Sequence, residues 1–294
     1  MTDSVEKFRT RIWEEVSEPD NPFAAAACYC HGYDVYGDIL GKASWIEYLY
    51  LLFRSERPSP QQTRLLEGLA LALANPGVRD PSVHAAMSGG AGGSTNPSVH
   101  AAMSGGAGGS TNASCLMAAL AVGAGQLGGA HEVYRAMEYW RQCGRDLAAW
   151  QQRLLDPPQE EHIDIWPAME HPPGFDPHGV SCATPVRQTL LYLAKCSPGE
   201  HLPWLEEQRD ALERAAELPL GMSGVTAATF MDLDFAPQAA EMTHLLLRLP
   251  GAAVHALEQR EYGWRRFPFF ANAINLTNDP GPATVDTHQK ELEI

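Results

Sequence analysis

Residues 44–73 read SWIEYLYLLFRSERPSPQQTRLLEGLALAL, and this stretch decides the fold class. Its first four residues, Ser44 to Glu47, form a capping-box signal for a helix start. Ser59 to Gln62 repeats that signal with a proline at the first helical position. After the second start, leucines recur at helical spacing, at Leu65, Leu69 and Leu73. The stretch therefore predicts two helices joined by a short turn.

The same pattern extends along most of the chain. Further helix starts, each marked by a proline in the first turn, predict helices over about 184–195, 203–218 and 237–249. No run of β-branched residues alternates with polar ones, so the pattern of a half-buried strand is missing from the sequence. The sequence therefore predicts an all-α fold.

The composition limits the classes of protein that fit the chain. Its 294 residues, 45% of them hydrophobic, are enough for one large core or for a large and a small domain that share a cleft. Lys and Arg number 21 against 36 Asp and Glu, and the resulting net charge of −15 repels a phosphate backbone. We therefore do not expect a nucleic acid as a partner.

We do not expect a membrane or a metal as a partner either. No apolar stretch is long enough for a transmembrane helix, and Met1 to Ser17 is charged throughout, unlike the apolar core of a signal peptide. The six cysteines are scattered, and Cys28 and Cys30 lack the second pair or the histidines of a zinc site. These features favour a cytoplasmic protein with reduced thiols.

An identical tandem repeat interrupts the chain. Residues 81–96 read PSVHAAMSGGAGGSTN, and residues 97–112 repeat the same letters. Solenoids contain three or more imperfect repeats, so one identical pair indicates a recent duplication or an error in the sequence. The glycine-rich part lacks the lysine of a phosphate-binding loop and follows no predicted strand, which makes it a weak candidate for a nucleotide site.

Three groups of motifs together resemble one known family. They are YCHGYDV at 29–35 with ILGKAS and EYLYLL shortly after it, GGAHE at 128–132, and the segment 233–258 with RLPG and HALE. In this order they resemble the opening string, the "HGGA" turn and the arginine-containing helix of citrate synthases and citryl-CoA lyases. The matches run from about residue 28 to 268, and the chain length is similar to that of the shorter, lyase-type members.

The resemblance implies a fold, a reaction and an assembly. Residues 1–156 would form the first part of a large helical domain, 157–220 a smaller helical domain, and 221–294 the return to the large domain with a C-terminal dimer segment. Family members are homodimers that make or break a C–C bond between an acyl-coenzyme A and a 2-oxo acid. The expected ligands are therefore a coenzyme A thioester, as substrate, and a di- or tricarboxylate, without a metal.

Several positions that carry the family's chemistry differ in this chain. Leu127 stands where many members have the histidine of "HGGA", although the lyase module of ATP-citrate lyase also has an apolar residue there. Ser223 replaces the family's aspartate, and a serine hydroxyl is no base near neutral pH without an activating neighbour. His178, one residue beyond the position of the family's second histidine, and Asp176 are candidates for the missing proton-transfer groups. The alternatives are an ordinary loop histidine and a turn aspartate.

The residues that bind the substrate's carboxylates in the family are better retained. Arg248 matches a citrate-binding arginine, and a buried guanidinium needs an anionic partner, either a ligand or a protein carboxylate. By the same resemblance Arg266 and His100 would bind substrate, and Arg187 is the first basic residue after the loop that meets coenzyme A. His131, at a helix start, is either a new acid or base or a solvated histidine.

Two functions fit this pattern. The first is a citrate synthase-type lyase or acyltransferase that acts on a citryl-CoA-like thioester, with cleavage preferred and with His178, Asp176, Ser223 and His131 as candidate catalytic residues. The second is a catalytically inactive relative that binds a carboxylate or regulates an active family member, because such a protein would keep the binding residues and lose the proton-transfer residues. An altered reaction on a non-thioester substrate is a third interpretation.

Deletion of residues 81–96 is expected to leave the fold intact. The remaining copy keeps the family's spacing between His100 and Leu127, so the first copy is the additional one. Circular dichroism and thermal melting of the deletion variant, with the full chain as control, check this prediction. Loss of soluble expression would show that the duplicated segment is structural.

Overall fold

Helices make up most of the structure, a computed structural model that describes residues 10–91, 113–125, 128–156 and 171–262. The predicted all-α fold class is confirmed. No helix in these ranges is long and apolar enough to cross a membrane. The α-helices are α1 (Trp45–Arg54), α2 (Pro60–Leu73), α3 (Pro81–Ala91), α4 (Cys115–Gly123), α5 (Ala130–Cys143), α6 (Leu147–Leu155), α7 (Thr184–Cys196), α8 (His201–Ala216), α9 (Met222–Asp232) and α10 (Pro237–Tyr262), and a short π-helix, Val35–Ile39, precedes α1.

A small antiparallel sheet precedes α1, and the sequence analysis did not predict it. Its strands are β1 (Glu14–Ser17), β2 (Ala25–Cys30) and β3 (Tyr33–Asp34), paired in that order. His31 and Gly32 both have positive φ, at 49° and 86°, which is the backbone of a two-residue hairpin turn. The strands are too short and too exposed to show a clear alternation of apolar and polar residues, so their pattern escapes a periodicity search.

The predicted helix starts are formed by local hydrogen bonds. In α1 the Ser44 hydroxyl accepts from the backbone N–H of Glu47 at 3.2 Å, and the Glu47 carboxylate accepts from the backbone N–H of Ser44 at 2.7 Å. Ser59 and Gln62 make the same reciprocal pair at the start of α2. Both capping boxes therefore satisfy N–H groups that a helix start leaves unpaired.

Helix α10 continues beyond the predicted end at Leu249. Pro250 lies inside it, and the backbone N–H of the next residue, Gly251, donates to the carbonyl oxygen of Ala74 at 2.7 Å. A Cβ atom on Gly251 would stand 2.5 Å from the same oxygen, so only glycine allows this approach. This contact to the residue after α2 holds α10 in place directly beside the proline.

One main core contains most of the helices. Helix α9 lies at its centre, and every residue from Gly224 to Phe230 is buried. Helix α9 packs on α5 and α8, and α7 packs on α2 and α8. A smaller domain was predicted for residues 157–220. The described part of it, residues 171–220, contributes to the same core as the other helices. The domain boundaries stay a prediction.

The first copy of the repeat forms α3. Val83, Ala86 and Met87 are buried in a second, smaller core that α3 shares with α4 and the C-terminal half of α10. The second copy lies outside the described residues. Because the two copies are identical, deletion of either one leaves the same polypeptide, in which Asp80 still precedes the sequence of α3.

A loop over residues 171–176 is fixed to the start of α9. The carbonyl oxygen of Gly174 accepts from the backbone N–H of Gly221 at 2.9 Å. A Cβ atom on Gly224 would stand 2.5 Å from that carbonyl oxygen, and Gly174 itself has a φ of +95°. Both glycines are therefore required for this close contact, which brings the loop against the start of α5.

Candidate functional site

A buried carboxylate, that of Glu132, lies where α5, α9 and the 171–176 loop meet. Glu132 is in the first turn of α5 and is 3% exposed. Its Oε1 accepts from the hydroxyl of Ser223 at 2.6 Å and from the backbone N–H of Gly174 at 3.1 Å. Its Oε2 accepts from the backbone N–H of Gly128 at 3.0 Å. The side chain therefore joins three segments of the chain.

Glu132 stays ionised despite its burial. Burial alone would raise its pKa, but the nearby His171 and the hydrogen bonds from Ser223 and Gly174 outweigh burial and lower the pKa. A carboxylate whose oxygens are filled by donors is a poor proton acceptor. Glu132 thus supplies a fixed negative charge and fixed positions for its partners.

His171 is the histidine nearest to this charge. It is 8% exposed, and its Nε2 lies 3.8 Å from Oε1 of Glu132. This distance is too long for a hydrogen bond but still within the range of an ionic contact. Within the described part of the chain this Nε2 has no hydrogen-bond partner. The imidazole ring of His171 thus lies beside the negative charge of Glu132, and its Nε2 makes no hydrogen bond to a described residue.

Arg248 is the buried cation of the region, and it is 5% exposed. It forms an ion pair with Asp80, whose Oδ1 also accepts from the backbone N–H of Ser82 at 2.9 Å and so fixes the start of α3. Its Nη1 donates to the carbonyl oxygen of Gly128 at 3.2 Å. Burial lowers the pKa of Arg248 to about 10, so the guanidinium remains charged at neutral pH. A protein carboxylate thus meets the expectation of an anionic partner.

Gly128 connects the negative and the positive parts of the site. Its N–H donates to Glu132, and its carbonyl oxygen accepts from Arg248. His244 lies one helical turn before Arg248, is 4% exposed, and has its Nε2 3.2 Å from Nη1 of Arg248. We call this set of buried and partly buried groups the polar centre; its members are Asp80, Glu132, His171, Ser223, His244 and Arg248.

Of the four catalytic candidates from the sequence, the structure brings only Ser223 into direct contact with the polar centre, through Glu132. Oδ1 of Asp176 accepts from the backbone N–H of His178 at 2.9 Å, the geometry of a turn, and His178 itself is exposed. His131 stacks on Tyr134, and its Nδ1 lies 2.9 Å from Oε1 of Glu241. These catalytic roles stay predictions.

The binding candidates divide in the same way. Arg248 lies in the polar centre, whereas Arg187 is exposed on α7 and donates to the hydroxyl of Thr184 at 3.1 Å. His100 and Arg266 lie outside the described residues. Their assignment to substrate binding stays a prediction.

Four members of the polar centre were not predicted from the sequence: Asp80, Glu132, His171 and His244. Asp80 directly precedes the proline at the start of a helix and has only the signal of a helix cap. Glu132 has the sequence signal of an ordinary first-turn acid, and only its place after two glycines sets it apart. His171 lies in a proline-rich loop, seven residues before the histidine that the motif favoured. His244 has no signal beyond its spacing of four from Arg248, which puts both on one helix face.

Two spaces are lined by described residues away from the polar centre. A cavity of about 310 Å³ lies elsewhere, beside the N-terminal sheet, and includes Arg11, Tyr29 and His31 in its lining. A space of about 10 Å³ between Gly174 and Trp140 has room for roughly one water molecule. Neither of these two spaces is lined by Glu132 or Arg248. In the described ranges, no three or more His, Cys, Asp or Glu residues are grouped so that they could hold a metal ion.

Sequence comparison finds no match for the chain. No family model matches it, and no curated protein matches it.

Solved structures do match, at the level of the fold. Citryl-CoA lyase from Hydrogenobacter thermophilus superimposes with a TM-score of 0.62 at 17% identity, over 97% of this chain and 100% of that one. ATP citrate lyase from Methanothrix soehngenii, in complex with citrate and coenzyme A, gives a TM-score of 0.64 at 15% identity, over 92% of this chain. A mutant ATP citrate lyase from Methanosaeta concilii, in complex with (3S)-citryl-CoA, gives 0.62 at 13% identity, over 97%.

The chain therefore shares the fold of these citryl-CoA and ATP citrate lyases, which is the fold that the sequence motifs predicted. The chain spans the whole citryl-CoA lyase but only 42% and 43% of the two ATP citrate lyases, which are more than twice as long. At such low sequence identity, the structural similarity shows that the fold is shared but does not show that the activity is shared.

Replacement of Glu132 by glutamine is expected to destabilise the fold. An amide has the same shape but turns an NH₂ group towards one of the buried donors, which then lacks an acceptor. We expect the free energy of unfolding in urea to fall by about 1–3 kcal/mol. Glu138→Gln, on the same helix but with a side chain 34% exposed, is the control and should change it by less than about 0.5 kcal/mol. Equal stability of Glu132→Gln and the unchanged chain would contradict the connecting role.

His244 is expected to make stability depend on pH. Burial lowers its pKa from 6.5 to about 4, while the charge of Glu132 acts weakly in the opposite direction. Between these values the unfolded chain binds a proton that the folded chain does not, so stability is lost as pH falls from 6.5 to 4. The full effect is about 3 kcal/mol.

Urea denaturation at pH 7 and pH 4 measures this effect. His244→Phe should remove most of the difference between the two pH values, and Met242→Phe, at an exposed position two residues away, should retain it. The same pH dependence in both variants would show that other groups cause it.

Proposed function

We propose that this protein is an enzyme that cleaves a C–C bond in a citryl-CoA-like thioester to give an acyl thioester and a 2-oxo acid. The observation that carries the proposal is the polar centre, a buried anion and a buried cation joined through Gly128 in a citryl-CoA lyase fold. Buried ionisable groups of this kind lower stability relative to an apolar core, so their presence supports a functional role.

The cleavage needs a group that takes a proton from the tertiary hydroxyl of the substrate. As that proton leaves, the C–C bond breaks, the hydroxyl carbon becomes the carbonyl of the 2-oxo acid, and the electron pair enters the thioester as an enolate. A proton added to the enolate carbon then completes the acyl thioester. We assign the hydroxyl proton to Nε2 of His171, because this nitrogen has no hydrogen-bond partner among the described residues and the ionised Glu132 balances the imidazolium that forms.

Ser223 would act as a positioning residue. Its hydroxyl donates to Glu132 at 2.6 Å, so it holds the carboxylate in place and is not itself activated as a base. The family's aspartate is missing at this position, and the charge that remains in the centre is that of Glu132. Asp176 and His178 stay alternative candidates for orienting or transferring the proton.

Arg248 would bind a carboxylate of the substrate in place of Asp80. The two are ion-paired in the described structure, so substrate binding exchanges one carboxylate for another and leaves the buried charge balanced. His100, Arg266 and Arg187 would supply further contacts to the carboxylates and to coenzyme A. The ATP citrate lyases with bound citrate, coenzyme A and citryl-CoA support this ligand class.

The apolar outer face of α10 supports a homodimer. Met242, Leu246, Val254 and Leu257 lie on one side of the helix and are 65%, 45%, 56% and 51% exposed. Leu120 and Val122 of the neighbouring α4 are also exposed. A continuous apolar face of this kind favours burial against a second copy of the chain.

Exchange of His171 tests the proposed chemistry. We expect His171→Asn to lower the rate of citryl-CoA cleavage by roughly 10²–10⁴-fold, the usual effect of losing an acid–base group. The measurement is release of the 2-oxo acid, followed with a coupled dehydrogenase. His178→Asn is the matched comparison, because that side chain is exposed and away from Glu132. A large loss in His178→Asn with little change in His171→Asn would reassign the role to His178.

The same preparation distinguishes an enzyme from a binding protein. Calorimetry measures the affinity for citrate and oxaloacetate while the assay measures turnover. Binding without turnover of citryl-CoA would contradict the proposal and favour the inactive, carboxylate-binding relative.

The chain is expected to be a dimer at micromolar concentration by light scattering. Leu246→Glu should shift the mass towards the monomer, because a charge in the centre of the apolar face is costly to bury. Leu71→Glu, on α2 and 75% exposed, should leave the mass unchanged. A monomeric unchanged chain would remove the dimer from the proposal.

A further inference from the structure

His244 has a defined tautomer because of its neighbour. Arginine has only hydrogen-bond donors, so at the 3.2 Å contact with Nη1 of Arg248 the Nε2 of His244 must be the acceptor. A neutral imidazole with an accepting Nε2 carries its proton on Nδ1. Burial keeps the ring neutral, with a pKa of about 4. His244 therefore presents an Nδ1–H donor.

This donor lacks an acceptor within the described residues. Nδ1 of His244 is fully buried and has no hydrogen-bond partner there. The residue is only 4% exposed, so bulk water does not replace the missing partner. A buried N–H without an acceptor costs free energy on the scale of a lost hydrogen bond. A site that holds such a group in a fixed direction is prepared for an oxygen atom that arrives with a ligand.

The neighbouring charges indicate what kind of ligand brings this oxygen. Arg248 repels a cation, and an apolar group would leave the N–H unpaired. A ligand with two or more carboxylates satisfies both groups at once, because one carboxylate pairs with the guanidinium and another accepts from the Nδ1–H on the other side of the ring. Glu132 lies close enough to influence His244 electrostatically, but its oxygens are already filled by other donors.

We infer that the Nδ1–H of His244 donates a hydrogen bond to an oxygen of the small carboxylate that Arg248 binds, which makes His244 a specificity-determining residue. The inference rests on the proposed function, since it assigns a further residue to the same site. It explains why a histidine occupies the apolar surroundings of α10 one turn before Arg248.

Nitrogen NMR of the full chain labelled with ¹⁵N-histidine tests this inference. The signal of His244, identified by its loss in His244→Gln, should show the Nδ1–H tautomer in the free protein. It should shift on titration with at least one of citrate, malonate and oxaloacetate. An Nε2–H tautomer, or no shift with any of the three, would overturn the inference.

Two variants of His244 test whether its Nδ1–H acts as a hydrogen-bond donor or whether the side chain only fills space. Asparagine can place its amide N–H near the position of Nδ1, whereas leucine fills the space without a donor. We expect His244→Leu to weaken carboxylate binding by roughly 10-fold or more, as for a hydrogen bond to a charged group, and His244→Asn to lose clearly less. Equal affinity of His244→Leu and the unchanged chain overturns the inference. If His244→Leu does not fold, the NMR titration of the unchanged chain decides.

The outcome is distinguishable from that of the proposed function. A carboxylate that shifts the His244 signal without citryl-CoA turnover supports the inference and contradicts the lyase. Turnover together with an unresponsive His244 supports the lyase and contradicts the inference.

Discussion

The carboxylate of Glu132 is the contact on which the arrangement of the site depends. It accepts hydrogen bonds from Gly128 before α5, from Gly174 in a loop and from Ser223 on α9. Gly174 is buried and Ser223 is partly buried, so these two donors would lack an acceptor without it. One side chain thereby fixes the relative position of three segments, and the close packing of Gly174 on Gly224 allows the loop to come near enough.

The polar centre also combines charges of both signs. Glu132 and Asp80 are negative, Arg248 is positive, and His244 stays neutral because burial lowers its pKa to about 4. Gly128 contacts both signs of charge with its two backbone groups. A protein that needed only stability would replace such a set with apolar side chains, and its retention is consistent with a role in binding an anion.

The fold is shared with citryl-CoA lyases, while the residues at the chemically important positions are not those of the family motifs. Leu127 and Ser223 stand where the motifs have a histidine and an aspartate, yet the buried carboxylate of Glu132 lies directly beside Ser223. A fold supplies positions in space, and the chemistry follows from the side chains that occupy them. His171 and His244 show how a similar scaffold can present different histidines.

The sequence by itself determined the local elements and the fold class. The capping boxes at Ser44 and Ser59 and the helical spacing of leucines depend on residues within four positions of one another, so the chain alone reveals them. Only the tertiary structure decided the site. Glu132 meets Ser223 across 91 positions, and Arg248 meets Asp80 across 168. Such pairs depend on how the helices pack. The continuation of α10 beyond Pro250 likewise occurs beside a tertiary contact, the hydrogen bond from Gly251 to Ala74. A buried hydrogen bond between distant residues has no periodic signal in the sequence, because its geometry exists only after the core has formed.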